Sequence, residues 1–160
     1  MSKQRPFSLL FIFALMLAAC SSSGPIQPGD EVGGFKITQG GEASRSYWAN
    51  EGDCTDIDPQ GSYICSIPAG QVVNISYGIY GKGGETVGEA WDKHTYTLTI
   101  DERPVDLAAF GAIDLMNPRV GPMRYWNIAI SANQAAKLVV HFNVTVGEDS
   151  LEETITYITP

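Results

Sequence analysis

The residues best suited to proton transfer near neutral pH are the two histidines, His94 and His141. They lie in separate predicted strands, and nothing in the sequence places either beside a nucleophile, which a catalytic triad requires. The GxSxG elbow, the HExxH zinc motif, the Walker A motif and a GxGxxG turn before a helix do not occur in the 160 residues. We therefore expect a protein that is not an enzyme, with hydrolase activity as a less favoured alternative.

The cysteines offer a different chemistry. Cys54 and Cys65 lie in the segment DCTDIDPQGSYIC. In an oxidising compartment an even pair of cysteines predicts a disulfide, which would close a loop of about a dozen residues and stabilise the fold by about 3 kcal/mol. The alternative is a metal or redox pair, but the spacing suits neither a CxxC motif nor a zinc knuckle.

Three carboxylates surround the first of these cysteines: Asp53, Asp56 and Asp58. Oxygen ligands at close spacing can bind calcium, so these residues are a weak calcium candidate. Their spacing does not match an EF-hand loop, and Asp beside Pro-Gln-Gly also simply forms turns. We predict no cofactor and no other metal site.

Aromatic side chains near predicted loops are the candidates for ligand binding: Tyr47, Trp48, Tyr80 and Trp91. Such rings can stack on sugars or contact a protein partner. The alternative is that they close the ends of the fold as part of its core. Trp126 shares an alternating face with Ile128 and Ile130, so we expect it to be buried.

Period-2 alternation dominates the chain after residue 34 and predicts strands. The clearest case is KLVVHFNVTV, which places Leu138, Val140, Phe142, Val144 and Val146 on one face. DERP (101–104) is typical of a tight hairpin turn, and VDLAAF (105–110) of a strand end followed by one helical turn. Residues 81–89 read as a long glycine-rich loop. The pattern predicts an all-β protein, an antiparallel β-sandwich of seven to nine strands that is immunoglobulin-like in the broad sense.

The first twenty residues have the composition of a secretory signal. Lys3 and Arg5 precede the run Phe7 to Ala19, which carries no charge and, at about 20 Å as a helix, is too short to span a bilayer. Leu17, Ala18 and Ala19 then precede Cys20. This segment resembles the lipobox of bacterial lipoproteins. The resemblance implies that residues 1–19 are removed and that Cys20 is acylated and anchors the protein to the outer face of a membrane, the outer membrane if the cell has one.

The domain organisation follows from these segments. Residues 1–19 form the signal peptide, residues 20–33, rich in Ser, Gly and Pro, form a flexible tether, and residues 34–160 form the sandwich domain.

The net charge of the mature chain limits the classes of partner that it can bind. Removing Lys3 and Arg5 leaves eight basic residues against 18 acidic ones, a formal charge of −10. This excess argues against nucleic acid as a partner, because nucleic-acid binding depends on neutralising phosphates. Besides the membrane bound through Cys20, we expect an envelope protein or a glycan as partner. The sequence thus favours a binding or adhesion module, with an accessory or structural lipoprotein of an envelope assembly as the alternative.

Overall fold

A computed structural model describes residues 24–41, 45–46, 54–58, 61–81, 86–119 and 121–160. Across these ranges the chain forms twelve strands and two short helices. The first half contains β1 (Glu31–Val32), β2 (Phe35–Gln39), β3 (Arg45–Ser46), β4 (Thr55–Asp58), β5 (Ser62–Ser66), β6 (Val72–Tyr80) and α1 (Val87–Asp92). The second half contains β7 (His94–Ile100), β8 (Arg103–Pro104), α2 (Leu107–Phe110), β9 (Ala112–Asn117), β10 (Gly121–Ser131), β11 (Ala136–Val146) and β12 (Asp149–Thr159).

The strands form two six-stranded sheets. One has the order β1-β2-β10-β6-β3, with β9 also paired to β10, and the other has the order β4-β5-β12-β11-β7-β8. The predicted all-β sandwich is therefore confirmed. Nine of the twelve strands found in the described ranges have four or more residues, which agrees with the seven to nine expected, and the other three have two residues each.

The sandwich is mostly antiparallel, and it contains two parallel strand pairs in the described ranges. β5 runs parallel to β12, and β3 runs parallel to β6. Alternation of apolar and polar residues shows which side chains face the core, but it carries no information on the direction of the neighbouring strand. The sequence pattern could therefore not reveal these two pairs.

The core lies between the sheets and is built from alternating residues. Leu138, Val140 and Phe142 of β11 are buried, as are Ile128 and Ile130 of β10. Each fully buried aliphatic side chain of this kind contributes about 1.5–3 kcal/mol relative to an exposed one. Burial decreases toward the end of β11: Val146 lies on the same face as these residues, but its side chain is 37% exposed.

The folded domain begins earlier than predicted. Ile26 is completely buried and forms a parallel bridge with Val105, and the carbonyl of Gly24 accepts a hydrogen bond from Arg103 at 3.1 Å. Residues 24–33 thus belong to the domain, which corrects the tether predicted over 20–33. The glycines that suggested a linker form turns instead: Gly33 has φ +57°, and a Cβ there would collide with the carbonyl oxygen of Lys137.

The predicted turn and helical turn are both present. Asp101 and Glu102 connect β7 to β8 with φ of 46° and 65°, and the Asp101 carboxylate accepts a hydrogen bond from the backbone N–H of Val139. α2 follows, with Asp106 as its N-cap. Neither α1 nor α2, the helices in the described ranges, has the length and apolar character needed to cross a membrane.

The long strands run between two ends of the sandwich, which we call the base and the apex. The base contains Gly24, the turn at Asp101–Glu102 and the start of β11. The apex contains α1, the start of β7 and the turn between β11 and β12. The eleven residues of β11 span roughly 33 Å between them.

The predicted disulfide is confirmed. Cys54 and Cys65 are bonded, with Cα atoms 4.3 Å apart, and the bond ties β4 to β5. Cys65 is fully buried and lies in register with Tyr157 of β12. The bond therefore fixes an edge strand to the core.

Replacing both cysteines, in Cys54→Ala/Cys65→Ala, is expected to lower the free energy of unfolding by about 3 kcal/mol, because an unbridged chain regains the entropy of the closed loop. Urea unfolding of the variant and of the oxidised protein measures this difference. Reduced wild-type protein is the matched control, since it lacks the bond but keeps both side chains. Equal stability of the oxidised and reduced proteins would contradict the prediction.

Candidate functional site

Helix α1 closes the apex between the two sheets. It begins with a capping box: the hydroxyl of Thr86 accepts from the backbone N–H of Glu89 at 3.2 Å, and the Glu89 carboxylate accepts from the backbone N–H of Thr86 at 2.9 Å. The Thr86 hydroxyl also donates to the Glu89 carboxylate at 2.7 Å, and this bond, together with the one from the Thr86 backbone N–H, lowers the pKa of Glu89. At the other end, Nδ1 of His94 donates to the carbonyl oxygen of Ala90 at 2.6 Å. A helix of only six residues is thus fixed at both ends.

The helix places Trp91 against aromatic rings from both sheets. The Trp91 ring lies 4.3 Å from Trp126 of β10 and 4.8 Å from Tyr96 of β7, measured between centroids. Tyr96 meets Trp126 edge-on at 4.6 Å. Deeper in the sandwich, Tyr77 stacks on Phe142 at 3.7 Å. We call these five residues the aromatic cluster, and it joins the sheets at the apex.

Arginine covers part of the cluster. The guanidinium of Arg124 lies 5.8 Å from the centre of the Trp91 ring, within the range of a cation–π contact. The same guanidinium donates to both carboxylate oxygens of Asp114, at 2.6 and 2.8 Å, and these hydrogen bonds lower the pKa of Asp114. Trp91 therefore packs inward against three side chains. This position fits the alternative raised for it above, an aromatic ring that closes the end of the core.

Both sheets carry exposed apolar side chains at the apex. Five of the seven large apolar residues found exposed in the described ranges lie there, and we call them the apical surface: Tyr80 (41% exposed), Leu115 (46%), Met116 (68%), Val146 (37%) and Leu151 (59%). Tyr80 and Leu115 lie on either side of Met123 in one row across the outer face of the first sheet. Apolar groups gathered at one end of a domain indicate a contact surface.

The hairpin of β11 and β12 makes the apex acidic. From residue 138 to residue 160 the chain has four carboxylates and no Lys or Arg: Glu148, Asp149, Glu152 and Glu153. Leu151 and Val146 lie among these charges. Glu152 is exposed and accepts a hydrogen bond from Asn143 across the strand pair at 2.7 Å. The apical surface therefore combines apolar area with negative charge.

Glu153 differs from its neighbours because it is turned toward the core. It is paired with Phe142, on the face of β12 that also carries Ile155 and Tyr157. Burial raises the pKa of Glu153. Burial also raises the pKa of Tyr77, and the nearby Tyr157 and Glu153 raise it further. Burial thus makes the charged form of the Glu153 carboxyl less favourable than it would be in water.

The two histidines are not brought together. His94 pairs with Val146, whereas His141 pairs with Thr99, five residues farther along β7 and so roughly 17 Å away. The ring of His141 hydrogen-bonds the hydroxyl of Thr154 at 3.0 Å. It lines a shallow groove with Thr99, Asp101, Glu102 and Val139, in which the Asp101 carboxylate is already engaged by a backbone N–H.

Several predicted residues lie outside the described part of the chain: Cys20, Tyr47, Trp48 and Asp53. The backbone of Asp56 and Asp58 belongs to β4, but their side chains are not described. The described residues contain no group of three or more His, Cys, Asp or Glu side chains that could bind a metal ion. Lipidation at Cys20, the ligand role of Tyr47 and Trp48 and the calcium candidate all stay predictions.

The sequence analysis missed α1 and most of the apical surface. α1 falls partly within residues 81–89, which were predicted to be a loop. A Thr followed three residues later by Glu is the signature of a capping box, so Thr86 and Glu89 were the readable signal. Leu115, Met116 and Leu151 gave no comparable signal, because an apolar residue in a strand is expected to face the core and these three are exposed.

Comparison with known proteins gives little further guidance. No protein-family model matches the chain, and no curated protein matches it either. The chain is similar to a solved structure described as "Structure of PbICP-C in complex with falcipain-2", at 14% identity and a TM-score of 0.35, over 72% of this chain and 98% of that one. Similarity at this level carries no argument about function, which must come from the residues.

Glu153→Gln is expected to raise the thermal midpoint at pH 7.5 and to leave it nearly unchanged at pH 3.5. Because burial raises the pKa of Glu153 in the folded state, the neutral carboxyl stabilises the fold at low pH, and this contribution is lost as the pH rises through the folded pKa. Glutamine stays neutral at both pH values.

Thermal unfolding at the two pH values measures the effect. The control is Glu148→Gln, at the exposed turn of the same hairpin, for which we expect no comparable gain at pH 7.5. A gain from Glu153→Gln that is the same at both pH values would count against a buried carboxyl as its cause.

Proposed function

We propose that this protein is an exported lipoprotein, held by an acylated Cys20 on the outer face of a bacterial membrane, whose sandwich domain binds a protein partner through the apical surface and catalyses no reaction. The observation that carries the binding role is that exposed apolar side chains occur at the apex, the end of the sandwich that the aromatic cluster holds together. A rigid base beneath exposed apolar groups favours binding, because little conformational entropy is lost when a partner docks.

The chemistry of the apical surface favours a protein over a glycan. Sugars are recognised by stacking on open aromatic faces, but the Trp91 ring packs against Trp126, Tyr96 and Arg124. The groups that extend from the apex are mostly aliphatic or thioether side chains, led by Met116 and Leu151. Methionine adapts its shape to a protein partner. The carboxylates beside Leu151 favour a partner that presents Lys or Arg next to apolar residues.

The lipoprotein part of the proposal is supported by the first twenty residues. The basic start, the short apolar run and the small residues before Cys20 occur in the order that a lipoprotein signal requires. The bond between Cys54 and Cys65 supports export, because disulfides persist in oxidising compartments.

An accessory role in an envelope assembly is the second candidate, and β9 is the observation that favours it. In the described part of the chain β9 pairs with β10 and with no other strand. It contains no Pro, Lys or Arg, residues that often protect an edge from further pairing. A strand of a neighbouring protein could extend the first sheet at this edge.

Cys20→Ala is expected to abolish incorporation of labelled fatty acid and to release the protein from membranes, since the thiol is the proposed acyl acceptor. Metabolic labelling and membrane fractionation measure both effects. Ser21→Ala, at the adjacent position, should be labelled and retained like the wild type. Full membrane retention of Cys20→Ala would refute the anchor.

A photo-crosslinking amino acid at position 116 or 151, in the full chain in intact cells, is expected to give the same discrete protein adduct from both positions. The matched control is position 72, because Val72 is also apolar and 42% exposed but lies at the base. Leu151→Asp should greatly reduce the adduct formed from position 116, whereas Val72→Asp should not.

The binding proposal is overturned if positions 72 and 116 give the same adducts, if no position gives one, or if Leu151→Asp leaves the adduct unchanged. Circular dichroism of the purified variants shows whether each one keeps its fold. Leu151 and Val72 are both exposed, so we expect both variants to fold.

A further inference from the structure

The chain enters the folded domain at the base, only a few residues after Cys20. The carbonyl oxygen of Gly24 already accepts a hydrogen bond from Arg103. Ile26 is buried and forms a β-bridge with Val105. Three residues lie between Cys20 and Gly24, so four Cα–Cα steps join them. A fully extended chain covers at most about 3.6 Å per residue, so Gly24 lies within roughly 15 Å of the cysteine.

The apex lies at the other end of the molecule. β11 starts at the base with Ala136 and reaches the apex with Val146, about 33 Å away. This distance is about twice the reach of the segment between Cys20 and Gly24. A domain attached at its base therefore has to tip over completely before the apical surface can touch the same membrane.

Charge opposes such tipping. The hairpin of β11 and β12 brings four carboxylates and no basic residue to the apex side of the second sheet. The base carries both signs of charge: Asp30 is paired with Arg103 at 3.7 Å, and Lys36 and Lys137 lie near the carboxylates of Glu31, Asp101 and Glu102. A surface of anionic lipids repels the acidic end more strongly than the mixed base.

We infer that the base faces the lipid and the apex points away from it, so that the apical surface is presented to a partner in the surrounding compartment and not to the membrane. The inference rests on the proposed lipid anchor at Cys20. It assigns the two ends different partners: a lipid surface for the base, and a protein with basic and apolar residues for the apex.

Energy transfer to the bilayer tests this orientation. The acylated full-length protein is reconstituted into phosphatidylethanolamine–phosphatidylglycerol vesicles that contain a fluorescent acceptor on the lipid headgroup. Donor dyes are attached to Ala135→Cys at the base or to Ser150→Cys at the apex; both positions are exposed, and Cys54 and Cys65 are blocked by their disulfide. We expect transfer from position 135 to be at least about twofold more efficient, because roughly 30 Å separates the two ends.

Three results would overturn the inference, and they separate it from the anchor. Equal transfer from both positions, in protein that floats with the vesicles, would show a domain without a fixed orientation. Greater transfer from position 150 would show that the apex contacts lipid. Protein that does not float with the vesicles would refute the anchor at Cys20 and the orientation together.

Discussion

The packing of aromatic rings between the two sheets is the constraint on which the functional end of this protein depends. Trp126 belongs to one sheet, Tyr96 to the other, and Trp91 reaches them from α1. Each pair of this kind contributes about 0.5–1.5 kcal/mol beyond the area that it buries. These contacts fix the separation of the sheets at the apex, so the hairpins that extend from it have a defined position.

The capping box and the aromatic cluster depend on each other. A helix of six residues is not stable alone, because too few hydrogen bonds repay the entropy of forming its first turn. Thr86, Glu89 and His94 satisfy the ends of α1, and Trp91 attaches it to the sheets. In return, α1 covers the rings between the strands. A small helix therefore covers the aromatic rings between the sheets at the apex.

The sequence predicted the faces of the strands well, because a period of two follows directly from strand geometry. It predicted less well where the outcome depended on distant parts of the chain. Residues 24–33 have the composition of a linker, but Ile26 finds a place in the core that only the position of Val105 reveals. Leu115 and Leu138 are both apolar residues in strands, yet the first is 46% exposed and the second is buried. This difference arises because Leu115 lies beside Met123 on the outer face of the first sheet, whereas Leu138 faces the core between the sheets.

The one-sided charge of the hairpin formed by β11 and β12 also bears on self-association. Two copies that approach through the apex end of this hairpin bring together the exposed carboxylates of Glu148, Asp149 and Glu152, six in all, and residues 138–160 of neither copy supply a Lys or Arg to balance them. At physiological ionic strength such repulsion fades beyond about 8 Å, so it acts when the copies are nearly in contact. Like-charge repulsion therefore protects the exposed leucine and valine of this hairpin from sticking to their own counterparts, while leaving them open to a molecule of opposite charge.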